Sequence, residues 1–136
     1  MNTFKTHILA ADDVFFDGEC ESIVIPTSQG QYGILAWHSN MISAIVPGVM
    51  TYRTADGAEQ IAAVSSGLVK VENNEVLILV DSAERPEEID ANRAKRAADA
   101  AKEAMLQKRS LREYYSAQMT LSRAIARLRA KNDSIN

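Results

Sequence analysis

The sequence predicts an α+β chain: an N-terminal β-sandwich, or flattened barrel, over residues 1–84, then an antiparallel two-helix hairpin over residues 85–136. Three observations carry this reading. All six glycines lie between Gly18 and Gly67, and neither Gly nor Pro occurs after Pro86. Short β-branched and aromatic runs fill the first part, whereas Ala, Arg, Lys, Glu and Leu dominate the second. Charge divides at the same place: residues 1–83 carry 3 basic and 10 acidic side chains, a net −7, and residues 84–136 carry 12 and 8, a net +4.

In the first part, strand-like runs cover 4–9, 22–25, 41–46, 49–53, 60–64, 68–71 and 76–80. Asp56-Gly57 and Asn73-Asn74 fall between such runs, and these residue types tolerate the positive φ of hairpin turns. Roughly 80 residues of short strands close best as a sandwich or barrel, so nearly every apolar residue here is expected in the core. The second part predicts a helix from about residue 87, with Pro86 in the first turn and Glu87, Glu88 and Asp90 at the positive end of the macrodipole. The periodic pattern stops at 107–110, where Ser110 and Glu113 have capping-box spacing for a second helix. On that helix Leu111, Tyr114, Leu121, Ile125 and Leu128, with Gln118 in one slot, form a seam at 3-4 spacing; Ala94, Ala98, Ala101 and Met105 match it on the first. Small residues are thus expected to face large ones. A mostly alanine stripe contributes little, about 0.8 kcal/mol per buried carbon, so the hairpin is expected to be marginal and open to a partner or ligand that binds one arrangement better.

Length and composition narrow the function. The chain has 136 residues, 46% of them hydrophobic, room for one domain of ordinary size or for one small domain and an appendage. A net charge of −3 argues against nucleic acid as the main partner. The run Val76-Leu77-Ile78-Leu79-Val80 is about a quarter of the ~20 residues that span a bilayer, and no basic-then-apolar leader opens the chain. The expectation is a soluble, unprocessed, cytosolic chain without direct membrane insertion. Cys20 stands alone and reads as inert packing; with only His7 and His38 there is no zinc pattern, and both histidines read as surface or interface residues. No GxxxxGK[ST], GxGxxG, HExxH or GxSxG motif is present, so no catalytic or metal-binding residue is expected.

A family resemblance enters with three stretches. Ser28-Gln29-Gly30-Gln31-Tyr32-Gly33-Ile34, followed by His38 and by Ala44-Ile45-Val46-Pro47-Gly48, resembles a loop and strand of the epsilon subunit of F-type ATP synthase. Ser65-Ser66-Gly67-Leu68-Val69-Lys70-Val71 is similar to that family's next hallmark, and Ile89-Asp90-Ala91-Asn92-Arg93-Ala94 to its I(L)DxxRA element. The order is the family's, over residues 4 to 131.

The resemblance implies a noncatalytic subunit of the rotor's central stalk, peripheral on the cytoplasmic face of the bacterial inner membrane. Its β-domain would bind the gamma subunit and rest on the c-ring. Its hairpin would lie folded or extend along gamma toward the alpha and beta subunits, blocking ATP hydrolysis. Arg109, Arg112, Arg123, Arg127 and Arg129 would then meet acidic surfaces of beta, although as a bare pattern they read rather as a solvated helix face. The family's ATP-binding members match here at Glu84, Ile89, Asp90, Arg93, Ala94, Arg123 and Arg127, which implies ATP as a regulatory ligand and no required cofactor. Where those members carry a further arginine this chain has Ala100, with Arg96 one turn earlier as the nearest substitute. Asp90 and Arg93, three apart, read otherwise as a surface pair. The c-ring contact is implied at Gln29, Gln31, Tyr32 and His38, with Gln31 at a position acidic in many members. Tyr32 and Trp37 are compatible with an interface or with a core. The residues also leave open a free-standing cytosolic adaptor whose hairpin senses nucleotide, and a small hydrolase using His38.

Overall fold

Nine strands make one hydrogen-bonded sheet in the order β4-β7-β8-β1-β2-β5-β6-β9, with β3 added beside β2, in a computed structural model that describes residues 2–11, 13–107 and 110–135. The strands are β1 Phe4–Ala10, β2 Asp13–Thr27, β3 Gly30–Leu35, β4 Met41–Ile45, β5 Gly48–Thr54, β6 Glu59–Val64, β7 Gly67–Glu72, β8 Glu75–Val80 and β9 Ala83–Glu84. At 15 residues, β2 serves both halves. Its first half pairs with β1, and beyond an irregularity between Cys20 and Ser22 its second half pairs with β3 and β5. That bend folds the sheet over, so Phe4, Ile8, Val69 and Ile78 from one half share a core with Ile23, Ile25, Ile34 and Met50 from the other. The expected sandwich is therefore present.

The strand list needs three additions. The first half of β2 contains Asp13, Asp17, Gly18, Glu19 and Glu21, which hid its alternation; β3, with two glycines, and the two-residue β9 were also not anticipated. The two hairpin turns lie where expected: Asn73 and Asn74 both have positive φ (51° and 60°) and Gly57 has φ 88°. Gly67 begins β7 where an added Cβ would sit 1.9 Å from the Leu79 carbonyl oxygen, so only glycine allows β7 and β8 to approach there.

The helical part begins later than predicted. Pro86–Glu88 is a single 3-10 turn, Ile89 is extended, and α1 runs Ala91–Gln107. Asp90 ends the turn because its Oδ1 accepts the Arg93 backbone N–H at 3.1 Å, making it the N-cap. Its carboxylate is thus used on the backbone rather than as a surface partner for the Arg93 side chain. The second helix, α2 Leu111–Ile135, is capped by Ser110 Oγ, which accepts the Glu113 N–H at 3.1 Å.

The α1 side of the seam is the expected one and the α2 side differs in part. Buried positions are Ala94, Ala98 and Ala101 on α1 and Ala117, Ala124, Ala126 and Ala130 on α2, whereas Leu111 is 70% and Ile125 40% exposed. The buried positions of both helices are thus alanines, with Met105, Tyr114, Leu121 and Leu128 half-buried. On α2 the 3-4 pattern of large residues is met only in part: Tyr114, Leu121 and Leu128 are half-buried, while Leu111, Gln118 and Ile125 are exposed, because the alanines that take the buried positions score weakly in such a pattern. Of the arginines noted above, Arg112 and Arg129 are exposed and Arg109 lies outside the described residues.

Candidate functional site

Among the described residues, the hairpin is held to the sheet and to the 3-10 turn that follows it by a small apolar contact and two polar ties. Ala130, fully buried, packs with Val49 of β5, Ala63 of β6 and Ile89, and Ile61 joins at the edge. Lys131 Nζ donates to the Pro86 carbonyl at 2.9 Å. Arg127 Nε donates to Glu84 Oε1 of β9 at 2.5 Å, both side chains being about a third exposed or less. Ala130 and Lys131 had no signal in the sequence, since neither type is distinctive on a helix.

Beside this contact lies a cavity of about 440 Å³ between β9, the start of α1 and α2. Glu84, Asp90, Arg93, Ala94 and Arg127 line it, five of the seven residues that the I(L)DxxRA resemblance singled out; Glu88 and Ala97 complete it. Ile89 turns into the apolar contact instead, and Arg123 donates to Thr120 Oγ1 at 3.3 Å away from the cavity. Arg96 is exposed and is not in the lining, and Ala100 borders a separate groove between α1 and α2 with Ala104 and Ala117. The volume is that of a small-molecule pocket. Two guanidiniums face three carboxylates in it, and each carboxylate already has a partner: Glu84 holds Arg127, Glu88 holds Arg85 at 3.2 Å, and Asp90 caps α1. Arg93 is exposed to the cavity, and both guanidiniums have the fork geometry that suits phosphate oxygens.

A second cluster lies on the sheet's outer face. The registers place Ala44, Leu68, Leu79, Leu9 and Val14 in one row across β4, β7, β8, β1 and β2. Val14 is 63%, Leu68 43% and Leu79 39% exposed, so the row is an uncovered apolar band. The next row crosses Ile42, Lys70, Leu77, His7 and Asp17. There His7 bridges two strands, with Nε2 2.7 Å from Glu75 Oε2 and Nδ1 3.2 Å from Asp17 Oδ1. Hydrogen bonding to Glu75 raises its pKa above the ordinary histidine value; partial burial opposes this and Asp17 reinforces it.

The remaining expected residues, Gln29, Gln31, Tyr32 and His38, lie on or near β3. Both glutamines and Tyr32 are exposed, and the Tyr32 hydroxyl sits 2.7 Å from His38 Nε2 with the rings edge to face. His38 Nδ1 is 2.7 Å from the Ser39 carbonyl, so Nδ1 donates there and Nε2 accepts the tyrosine proton. Neither partner is a carboxylate, so His38 lacks the orienting group that hydrolytic catalysis would ask of it. Cys20 is fully buried in the sheet core, where burial pushes its thiol pKa up. Among the described residues no group of three or more His, Cys, Asp or Glu is placed to hold a metal, and no helix is long and apolar enough to cross a membrane.

Two family models match. Residues 3–86 match the ATP synthase delta/epsilon chain β-sandwich domain, and residues 87–132 match the ATP synthase delta/epsilon chain long α-helix domain. The ATP synthase epsilon chain of Ruminiclostridium cellulolyticum is 42% identical over 132 residues, covering 97% of this chain and 98% of that one. The epsilon chain of Acaryochloris marina is 39% identical, covering 98% and 99%. In fold the chain is similar to one in the Euglena gracilis mitochondrial ATP synthase structure, with TM-score 0.83 at 19% identity, covering all of this chain and 83% of that one. A chain of the Tetrahymena thermophila mitochondrial ATP synthase central stalk and c-ring has TM-score 0.68 at 16% identity, covering 93% and 95%.

Proposed function

Because this chain belongs to the ATP synthase delta/epsilon chain family, we propose that it is the noncatalytic epsilon subunit of an F-type ATP synthase, a central-stalk part of the rotor that couples ion translocation to ATP synthesis. It works peripherally at the cytoplasmic face of the bacterial inner membrane. The near full-length likeness to epsilon chains favours this over a free-standing adaptor.

The observation that carries assembly is the uncovered apolar band Ala44–Leu68–Leu79–Leu9–Val14. A continuous apolar row on an otherwise satisfied sheet is a surface that lacks its partner. On this reading gamma covers it, while the β3 side, with Gln29, Gln31, Tyr32 and His38, faces the c-ring through uncharged polar contacts. Replacing Leu68 and Leu79 together by Glu places two charges in the middle of the band. A tagged wild-type chain is expected to copurify with gamma, alpha and beta, and the double variant to lose all three while remaining folded. Equal recovery of gamma with both chains would overturn the assignment of this face.

The hairpin is the regulatory part. Its hold on the sheet is one alanine-centred contact and two polar ties, so release costs little, and once extended along gamma it meets the alpha and beta subunits and inhibits hydrolysis. On this reading ATP is the ligand of the cavity beside this hold: Arg93 and Arg127 would take the phosphates, with Arg127 exchanging Glu84 for them, and Asp90 and Ala94 would border the nucleotide. A ligand that binds only the docked form at a hundred times its Kd stabilises that form by about 2.7 kcal/mol, comparable with the contact it reinforces. Nucleotide would thereby hold the hairpin down.

A further inference from the structure

The Leu35 carbonyl accepts the His38 N–H at 3.2 Å, closing a tight turn whose third residue, Trp37, has φ 62°. That position favours glycine or asparagine, because a Cβ crowds its own backbone there, and a bulky residue is an outlier. The side chain gains little packing in return among the described residues, since Trp37 is 72% exposed. The turn is also fixed. The Trp37 N–H donates to Asn74 Oδ1 at 2.6 Å, and Asn40 Oδ1 accepts the Asn73 N–H at 3.3 Å, fastening the loop to the β7–β8 turn. A strained, exposed and rigidly presented tryptophan is of no use to the free chain; such strain persists where a site uses it.

We propose that Trp37 is the anchor of a protein-docking surface and seats in an apolar recess of the c-ring, with Tyr32, His38 and Asn40 as its hydrogen-bonding rim. This rests on the ring contact proposed above and names the residue that dominates it. Charge selects protein over lipid. From Ser22 to Tyr52 the chain has no Asp, Glu, Lys or Arg, and residues 1–83 together carry −7. An anionic membrane surface would want Lys or Arg beside the aromatic and would repel that net charge. A buried aromatic ringed by uncharged polar groups is instead the usual anatomy of a protein interface hot spot.

Trp37 is the only tryptophan in the chain, so its fluorescence reports the contact directly. Full-length protein is titrated with purified c-ring in detergent, and in parallel with the detergent alone and with anionic vesicles lacking the ring. The expected result is a blue shift and loss of iodide quenching with the ring only, at the concentration at which a tagged chain retains it. Trp37→Gly suits the turn, so it is expected to fold with a higher Tm by a few degrees and to bind the ring about 30-fold more weakly. Unchanged quenching on a ring that does bind, or equal affinity of Trp37→Gly, overturns the anchor role and leaves the ring contact standing. The same blue shift with vesicles or detergent alone overturns the choice of a protein partner. Failure of the wild-type chain to bind the ring at all overturns the contact itself.

Discussion

Arg127 on α2 and Glu84 on β9, 43 residues apart in sequence, meet at 2.5 Å where the hairpin reaches the sheet, and the same guanidinium borders the cavity of about 440 Å³. One side chain therefore belongs both to the hold and to the proposed ligand site. Removing either partner is expected to loosen the hairpin without touching the sheet core. For a half-screened pair the loss is about 1–2 kcal/mol, or roughly tenfold in the opening equilibrium. Limited proteolysis within residues 85–91 checks it: Arg127→Ala and Glu84→Gln should be cut several-fold faster than wild type. Unchanged cutting would show that the pair contributes nothing to docking.

Arg93 and Arg127 are the cavity's two cations, so Arg93→Ala and Arg127→Ala should each weaken ATP binding by about tenfold or more, the usual loss for a charge-assisted hydrogen bond. Asp90 needs two variants because it caps α1. Asp90→Asn keeps the cap and tests the charge alone, whereas Asp90→Ala should also cost about 1 kcal/mol of stability. Isothermal titration calorimetry on the full chain separates these. Equal heats for wild type and both arginine variants would remove the nucleotide proposal.

Gly67 and Gly33 belong to two similar-looking glycine motifs but stand in different surroundings. A Cβ on Gly67 would lie 1.9 Å from the Leu79 carbonyl oxygen, and one on Gly33 would meet nothing within 4 Å. Gly67→Ala is therefore expected to cost about 3 kcal/mol or more by forcing β7 from β8, and Gly33→Ala to stay within about 0.5 kcal/mol of wild type. Chemical denaturation measures both, and a tolerated Gly67→Ala would contradict the close strand approach.

His7 makes the sheet sensitive to pH. Both ring nitrogens face carboxylates, Glu75 and Asp17, so the doubly protonated form satisfies both and the pKa is raised from 6.5. A group with a raised folded-state pKa contributes fully below its unfolded value and loses that contribution as pH rises through the folded value. The Tm should accordingly fall as pH increases from 6.5 upward, and His7→Gln should flatten that part of the profile. An identical pH profile in the variant would show that the bridge does not act on stability.

Much of this fold was legible because its residues do one job. The Asn73-Asn74 turn and the Val76, Ile78, Val80 alternation of β8 read directly, since positive φ and a two-sided strand each leave a residue signature. The first half of β2 did not, because its outward positions include the acidic Asp17 and Glu19 and its inward ones include Gly18 and Cys20. The α1 seam of Ala94, Ala98 and Ala101 read correctly, whereas on α2 the buried alanines carry no large-residue periodicity and Leu111 and Ile125 of the expected seam are exposed. In the cavity, the family resemblance singled out Arg93, Asp90 and Arg127 together. It could not reveal that Ile89 belongs to the hairpin's apolar hold, that Glu84 already occupies Arg127, or that Lys131 reaches the Pro86 carbonyl, because those are contacts between distant segments.

The account stands on a firmly built sheet carrying a hairpin whose attachment is slight. Residue-resolved amide hydrogen exchange on the full-length chain, with and without ATP, reads both quantities at once. Amides of residues 91–135 should exchange at least tenfold faster than those of β1, β7 and β8 in the free chain, and should slow when ATP is added. Protection of the hairpin equal to that of the sheet core, indifferent to ATP, would contradict it.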